Sequence, residues 1–143
     1  MHTLHHTTAK PMRYALLLRG INVGGKHKVS MDRLKADLME LGFCNVVSYI
    51  NSGNLFFDSS EPEEVIQRTL ARYCDATYDF PVPFIIISAA TLQQEVTQLP
   101  SWWQDDTAYR RDALFYLPEA DTAAIEAETA TWANDREQLH FGR

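Results

Sequence analysis

The sequence predicts an α+β fold: a ferredoxin-like β-α-β-β-α-β unit with an antiparallel sheet, followed by a partial second α/β half packed against it. Three observations predict it. Short apolar runs ("YALLL", "VVSYI", "LFF" and "FIII") alternate with two helix-period segments in that order within residues 12–88. The tetrapeptide "NSGN" (51–54) joins the second and third runs as a tight hairpin would. A length of 143 residues with 45% hydrophobic content suits one compact domain that needs no metal or disulfide to fold.

The elements follow in order. "RYALLLR" (13–19) is continuous enough to be a buried central strand. Ser30 caps a first helix carrying Met31, Leu34, Leu38 and Leu41 on one face, with Arg33 and Asp37 paired on the other and Gly42 ending it. "FCNVVSYI" (43–50) and "LFFD" (55–58) are the next two strands. Ser60 and Glu63 are placed as a capping box, with Pro62 in the first turn. The second helix turns Ile66, Leu70, Tyr73 and Cys74 inward, and "PVPFIIIS" (81–88) is the fourth strand. Residues 89–143 read as an incomplete second half. It holds a helix with Leu92, Val96 and Leu99, a loop, a strand at 113–117, a helix capped by Asp121, and a short strand at 138–141.

Residues 1–11 read as an irregular leader, with Met12 a candidate internal start. Its His2, His5 and His6 lack the preorganisation that a metal site needs, and neither metal nor cofactor is expected. Cys44 and Cys74 have no metal-binding spacing and are expected to be reduced core thiols of a cytoplasmic protein. No apolar run approaches the roughly 18 residues that would span a bilayer.

Net charge is −6, which argues against a general nucleic-acid binder. The charge is unevenly placed. Residues 1–35 hold seven basic side chains and one acid, and the remainder holds six basic and eighteen acidic ones. The basic excess centres on "RGINVGGKHKVS" (19–30), a loop longer than the usual connection of about four to six residues. "GINVGGK" fits part of a Walker A phosphate loop, but His27 stands where Ser or Thr should hold magnesium. The helix cap also comes late, at Ser30, and the strand order suits an antiparallel sheet, so a nucleotide hydrolase of that type is rejected.

The stretch "YALLLRGINVGGKHKVSMDRLKADLMELGFCNVVSYINSGNLFF" closely resembles the signature of an uncharacterised bacterial family, domain of unknown function 1697. "WWQDDTAYRRDALFYL" looks like the middle of the same family, so the resemblance covers nearly everything after Met12. It implies an α+β fold on ferredoxin-like elements and no established reaction. The matching positions are Arg19, Gly20, Asn22, Gly24, Gly25, Lys26, Lys28, Tyr49, Ser52, Gly53 and Asn54. The sequence departs from the family at His27, where Asn is usual, and lacks the Thr-, Arg- and Asn-rich continuation that ends in a Lys-Leu pair. A closing hairpin and helix are therefore expected to be missing.

In a ferredoxin-like sheet, ordered 4-1-3-2, the first two strands point to one end. The loop after the first strand, the hairpin after the second and the start of the fourth near Asp79 and Phe80 should then share a pole. Glycine amides, the adjoining helix N-terminus, Arg19, Lys26 and Lys28 would there favour an anion, and Asn22, Ser52 and Asn54 would offer polar groups. Each part also has an ordinary reading: a turn for Gly24–Gly25, hairpin chemistry for 51–54, solvated lysines, and a self-capping Asn22. The expected function is binding of a phosphorylated or anionic ligand (nucleotide, phosphometabolite or RNA segment). One alternative is a phosphate-handling enzyme with His27 as acid/base. The other is a protein-protein or oligomerisation module using Trp102 and Trp103, with Tyr109, Arg110 and Arg111 nearby.

Overall fold

The computed structural model describes residues 10–49, 53–105, 110–134, 136 and 138–142. β1 spans Met12–Leu18, α1 Met31–Glu40, β2 Cys44–Tyr49, β3 Asn54–Ser59, α2 Glu63–Thr77 and β4 Phe84–Ser88. α3 (Ala89–Thr97), a 3-10 turn at Ser101–Gln104 and α4 (Thr122–Ala130) follow. The chain divides into two compact units, Met1–Ala89 and Ala90–Arg143. The leader over residues 1–9 lies outside the described residues.

The first unit is a four-stranded antiparallel sheet in the order β2-β3-β1-β4, which is 4-1-3-2 read from the other edge. β1 has a ladder on both sides: Leu16 faces Leu55 of β3 and Ile86 of β4. One sheet face carries Tyr14, Leu16, Leu55, Phe57 and Phe84 into the core. Leu34 and Leu38 of α1 and Ile66, Leu70 and Cys74 of α2 complete it. The helical spacing of 3–4 residues puts each set on one stripe, and burying such a stripe is what holds a short helix in place. Burial pushes the Cys74 thiol up to about 11, with Asp75 adding to the shift, so it stays protonated and unreactive at neutral pH.

The local signals are mostly those of the sequence. Ser30 Oγ accepts the Arg33 amide at 3.3 Å and opens α1, and Gly42, at φ +98°, turns the chain after it. Asp121 caps α4 by accepting the Ala124 amide at 3.0 Å. The capping box expected at Ser60 and Glu63 does not form; α2 starts from Pro62 with no side-chain cap. A residue before proline avoids the α region, so Glu61 cannot be helical and the helix begins later than Ser60 would require. Ser59 Oγ instead receives the Glu61 amide at 3.1 Å.

Two further expectations are corrected. Residues 113–117 and the described residues of 138–141 form no strand. A strand needs a ladder partner for its N–H and C=O groups, and among the described residues these segments have none. Leu114 is accordingly 89% exposed. Cys44 is also exposed rather than in the core. It sits on the edge strand β2, where Cys44 faces Asp58 but Val47 faces Phe56. β2 thus carries one extra residue, a bulge, with Asn45 at φ +50°.

The bulge is tied down by charge. Asn45 Nδ2 donates to Asp58 Oδ2 at 2.7 Å and Arg13 Nη1 to Asp58 Oδ1 at 2.9 Å. The Asn45 bond first and the Arg13 bond second hold the Asp58 carboxyl below its ordinary range. A lowered folded pKa contributes stability above the unfolded value of about 4, and that stability is lost as pH falls through the folded value. Asp58→Asn should therefore lower stability at pH 7 by roughly 1 kcal/mol and flatten its decline between about pH 5 and pH 2 in urea titrations.

Candidate functional site

β1 and β2 run in the same direction, since each is antiparallel to β3. The ends Leu18 and Tyr49 and the starts Asn54 and Phe84 therefore share one end of the sheet. The contacts bear this out. The Leu18 amide donates to Gly53 O and the Arg19 amide to Pro83 O, both at 2.9 Å. A Cβ on Gly53 would meet Ile21 Cδ1 and Leu18 Cβ at 3.0 Å, and φ there is +85°. Only glycine allows the hairpin to seat against the loop this closely.

The loop between β1 and α1 is short-range structure throughout. The Lys26 amide donates to Val23 O at 3.0 Å, enclosing Gly24 and Gly25 at φ +60° and +74°. Two successive left-handed residues inside such a bond are what a type I′ turn demands, so the glycines are needed for the turn itself. The Asn22 amide donates to His27 O at 3.0 Å, lengthening this small hairpin. Asn22 then clamps it to the start of α1: Nδ2 donates to Val29 O at 3.0 Å, and Oδ1 accepts the Val29 amide at 2.8 Å. Its amide mimics a neighbouring peptide and is spent on the loop rather than turned outward. Asn22 and His27 themselves hold φ of +55° and +53°. Each costs roughly 1 kcal/mol or more for a non-glycine residue, and the clamp and turn bonds offset that cost.

Arg19, Lys26, His27 and Lys28 stand exposed on this frame. No salt bridge joins Arg19, Lys26 or Lys28 to an acid among the described residues, whereas Arg13, Arg33 and Lys35 are all paired. The Gly24 and Gly25 amides donate to no group among the described residues. The N-terminus of α1 is close in sequence, but Asp32 in its first turn already answers part of the helix dipole. The positive character of this pole therefore rests on the three side chains. An open hollow of about 580 Å³ lies beside the clamp, lined by Asn22, Val29, Ser30, Met31, Asp32 and Ser48.

His27 is held more firmly than its exposure suggests. Its Nδ1 lies 3.3 Å from Gly20 O, and its ring stacks on Phe80 at 4.4 Å and 9°. Phe80 packs on Tyr78 at 5.4 Å, and Tyr78 meets Tyr73 edge-on at 6.0 Å. Tyr73 Oη donates to Asp37 Oδ2 at 2.6 Å, and Asp37 also pairs with Arg33 at 3.7 Å. Burial, then the bonds to Asp37 and Tyr78, push the Tyr73 phenol far above its ordinary range. The sequence places Phe80 near the pole but gives no sign of the stack, because a contact between residues 27 and 80 has no local periodicity.

A second hollow, of about 370 Å³, lies at the other end of the sheet among Lys10, Met12, Tyr14, Ser59, Glu61 and Glu63. Two carboxylates against one lysine make it a poor place for an anion. Of the remaining candidates, Asn54 pairs with Leu17 and Tyr49 in the sheet, and Gly20 lends its carbonyl to His27. Ser52 and Tyr109 lie outside the described residues. Trp102 and Trp103 fall in the second unit, half-buried, with ring centroids 6.1 Å apart. Among the described residues no group of three His, Cys, Asp or Glu side chains is placed to hold a metal ion, and no helix is long and apolar enough to cross a membrane.

These features define a class: a small α+β protein whose central strand delivers a rigid cationic loop to one end of its sheet. The chain belongs to the family described as protein of unknown function (DUF1697), whose profile matches residues 12–143. It is similar to the conserved bacterial protein SP0830 from Streptococcus pneumoniae, a solved structure. The two are 40% identical with a TM-score of 0.87, and the match covers 94% of this chain and 74% of that one. A comparison with curated proteins gives no match.

Asn22→Ala should release the clamp and cost about 1–3 kcal/mol, since Val29 loses a partner for both its N–H and its C=O. Hydrogen exchange at the Val29 amide should accelerate with it. Asn22→Asp, which keeps the acceptor and tolerates the backbone, should lie between the two. Gly53→Ala should destabilise by at least about 1 kcal/mol in chemical denaturation, through the Leu18 and Ile21 contacts and the positive φ.

Proposed function

We propose that the pole built from residues 19–29, 53–54 and 78–83 binds a phosphorylated or otherwise anionic ligand. The observation that carries this reading is the presence of three cations without an acidic partner among the described residues, on a backbone fixed by five left-handed residues between Gly20 and His27. Like charges left unpaired on a flexible loop would simply spread into solvent. Held on a rigid one, they keep fixed places on the same loop, and any repulsion among them is relieved when an anion binds. Left-handed backbone at non-glycine residues gathers where function requires a fixed geometry. Arg19 offers a planar fork, the lysines point charges, and the open glycine amides additional donors.

The enzyme reading draws on the Nδ1 contact of His27 with Gly20 O, which fits the tautomer that leaves Nε2 as a proton acceptor. Among the described residues no carboxylate, serine or cysteine side chain bonds to that ring, so binding is the better supported activity. A docking role for Trp102 and Trp103 has less support, as both are half-buried and Trp103 O already accepts a bond from Arg111.

Titration calorimetry at low salt with inorganic phosphate, tripolyphosphate, ribose 5-phosphate and AMP tests the reading. At least one should bind, and Lys26→Ala with Lys28→Ala should weaken it by about tenfold or more, less at high salt. Unchanged affinity in the double variant, or no binding by any of these compounds, overturns it.

A further inference from the structure

We infer that the ligand of this pole is a nucleoside monophosphate whose base stacks on the outer face of His27. The inference rests on the anion-binding reading above and adds what the phosphate is attached to.

The imidazole is unusual for an exposed side chain. Its backbone is fixed in the left-handed region at φ +53°, its Nδ1 is held 3.3 Å from Gly20 O, and one face lies flat on Phe80 at 4.4 Å and 9°. Phe80 is backed in turn by Tyr78 and Tyr73, and the series ends on Asp37. Nothing in the packing of the core requires this, since His27 is exposed and the buried cluster closes without it. Holding an exposed ring costs rotamer freedom, and a ring already held gives that freedom up before a ligand arrives.

His27 is exposed and one face of its ring is taken by Phe80, which leaves the other face as the candidate aromatic platform. Lys26 and Lys28 flank it in the chain, and Arg19 stands at the start of the same loop. The complement of a planar π surface on a loop that also carries cations is a planar aromatic ring bearing an anion. A phosphosugar or an inorganic anion would use the cations and leave the platform idle. A nucleobase would use both, because every base has a face to stack. The net charge of −6 disfavours a long polyanion, which selects a single nucleotide over a strand.

Calorimetry on the full chain, with AMP, ribose 5-phosphate and pentaadenylate as probes, tests this. AMP should bind about tenfold or more tightly than ribose 5-phosphate, the size of effect that one base stack gives. His27→Asn removes the ring while suiting the left-handed backbone. It should abolish that advantage, so that AMP then binds no more tightly than ribose 5-phosphate. Phe80→Leu should reduce the advantage, and cooperative thermal unfolding with unchanged far-UV circular dichroism should show that both variants are folded. A 2-aminopurine nucleotide should lose fluorescence on binding to the wild type and not to His27→Asn. Equal affinity for AMP and ribose 5-phosphate, or an AMP advantage that survives His27→Asn, overturns this inference and leaves the anion site standing. Pentaadenylate binding far more tightly than AMP overturns the choice of a mononucleotide. Absence of binding by AMP and ribose 5-phosphate alike overturns the nucleotide inference, and if the inorganic anions also fail, the anion-binding reading falls with it.

Discussion

The central position of β1 is the constraint on which the rest depends. With β3 hydrogen-bonded along one side and β4 along the other, the chain leaving β1 at Leu18 emerges between the β2–β3 hairpin and the entry to β4. It has no choice of neighbours. Gly53 O receives the last strand amide and Pro83 O the next one, so the loop is anchored at its root by both flanking segments. Short bonds within the loop then do the rest. The outcome is a surface feature whose rigidity comes from the sheet, which is how a functional group is best positioned on a small domain.

The same region shows how local strain and local bonding are balanced. Asn22 and His27 occupy backbone conformations that side chains disfavour, and each is compensated on the spot. Asn22 gives its whole side-chain amide to Val29, and His27 has its carbonyl bonded to the Asn22 amide and its ring bonded and stacked. Polar capacity spent in this way is lost to a ligand. What remains uncommitted among the described residues is the charge on Arg19, Lys26 and Lys28, the Gly24 and Gly25 amides and the side of the imidazole away from Phe80. On the proposed reading, a ligand would meet charge, backbone amides and an aromatic face rather than an asparagine amide.

Much of the first unit could be read from the residues. Apolar runs and helical spacing located β1, α1, β2, β3, α2 and β4, Ser30 marked the start of α1 (as Asp121 marked that of α4 in the second unit), and the antiparallel order followed from the sequence of elements. The readings that failed have physical reasons. Ser60 looks like a cap until Pro62 is seen to exclude Glu61 from the helix. "ALFYL" has the composition of a strand, but composition cannot supply a ladder partner, and the segment is without one among the described residues. Cys44 sits in an apolar run yet lies on a bulged edge. At the pole, the residues were legible and their division of labour was not. Whether an asparagine faces a ligand or its own backbone depends on bonds across seven residues, and the His27–Phe80 stack depends on the whole fold.

The bulge in β2 has a consequence for how the molecule coexists with its own copies. An open sheet edge is a template on which a neighbouring chain can add a strand, and such growth begins most easily on a flat, regular ladder. At Cys44–Val47 the spacing of outward-facing peptide groups is broken by one residue, and Asn45 is pulled aside toward Asp58 and Arg13. A foreign strand arriving there would lose register within a few residues. The irregularity that spoils the strand thus guards the protein against self-propagating aggregation along this border.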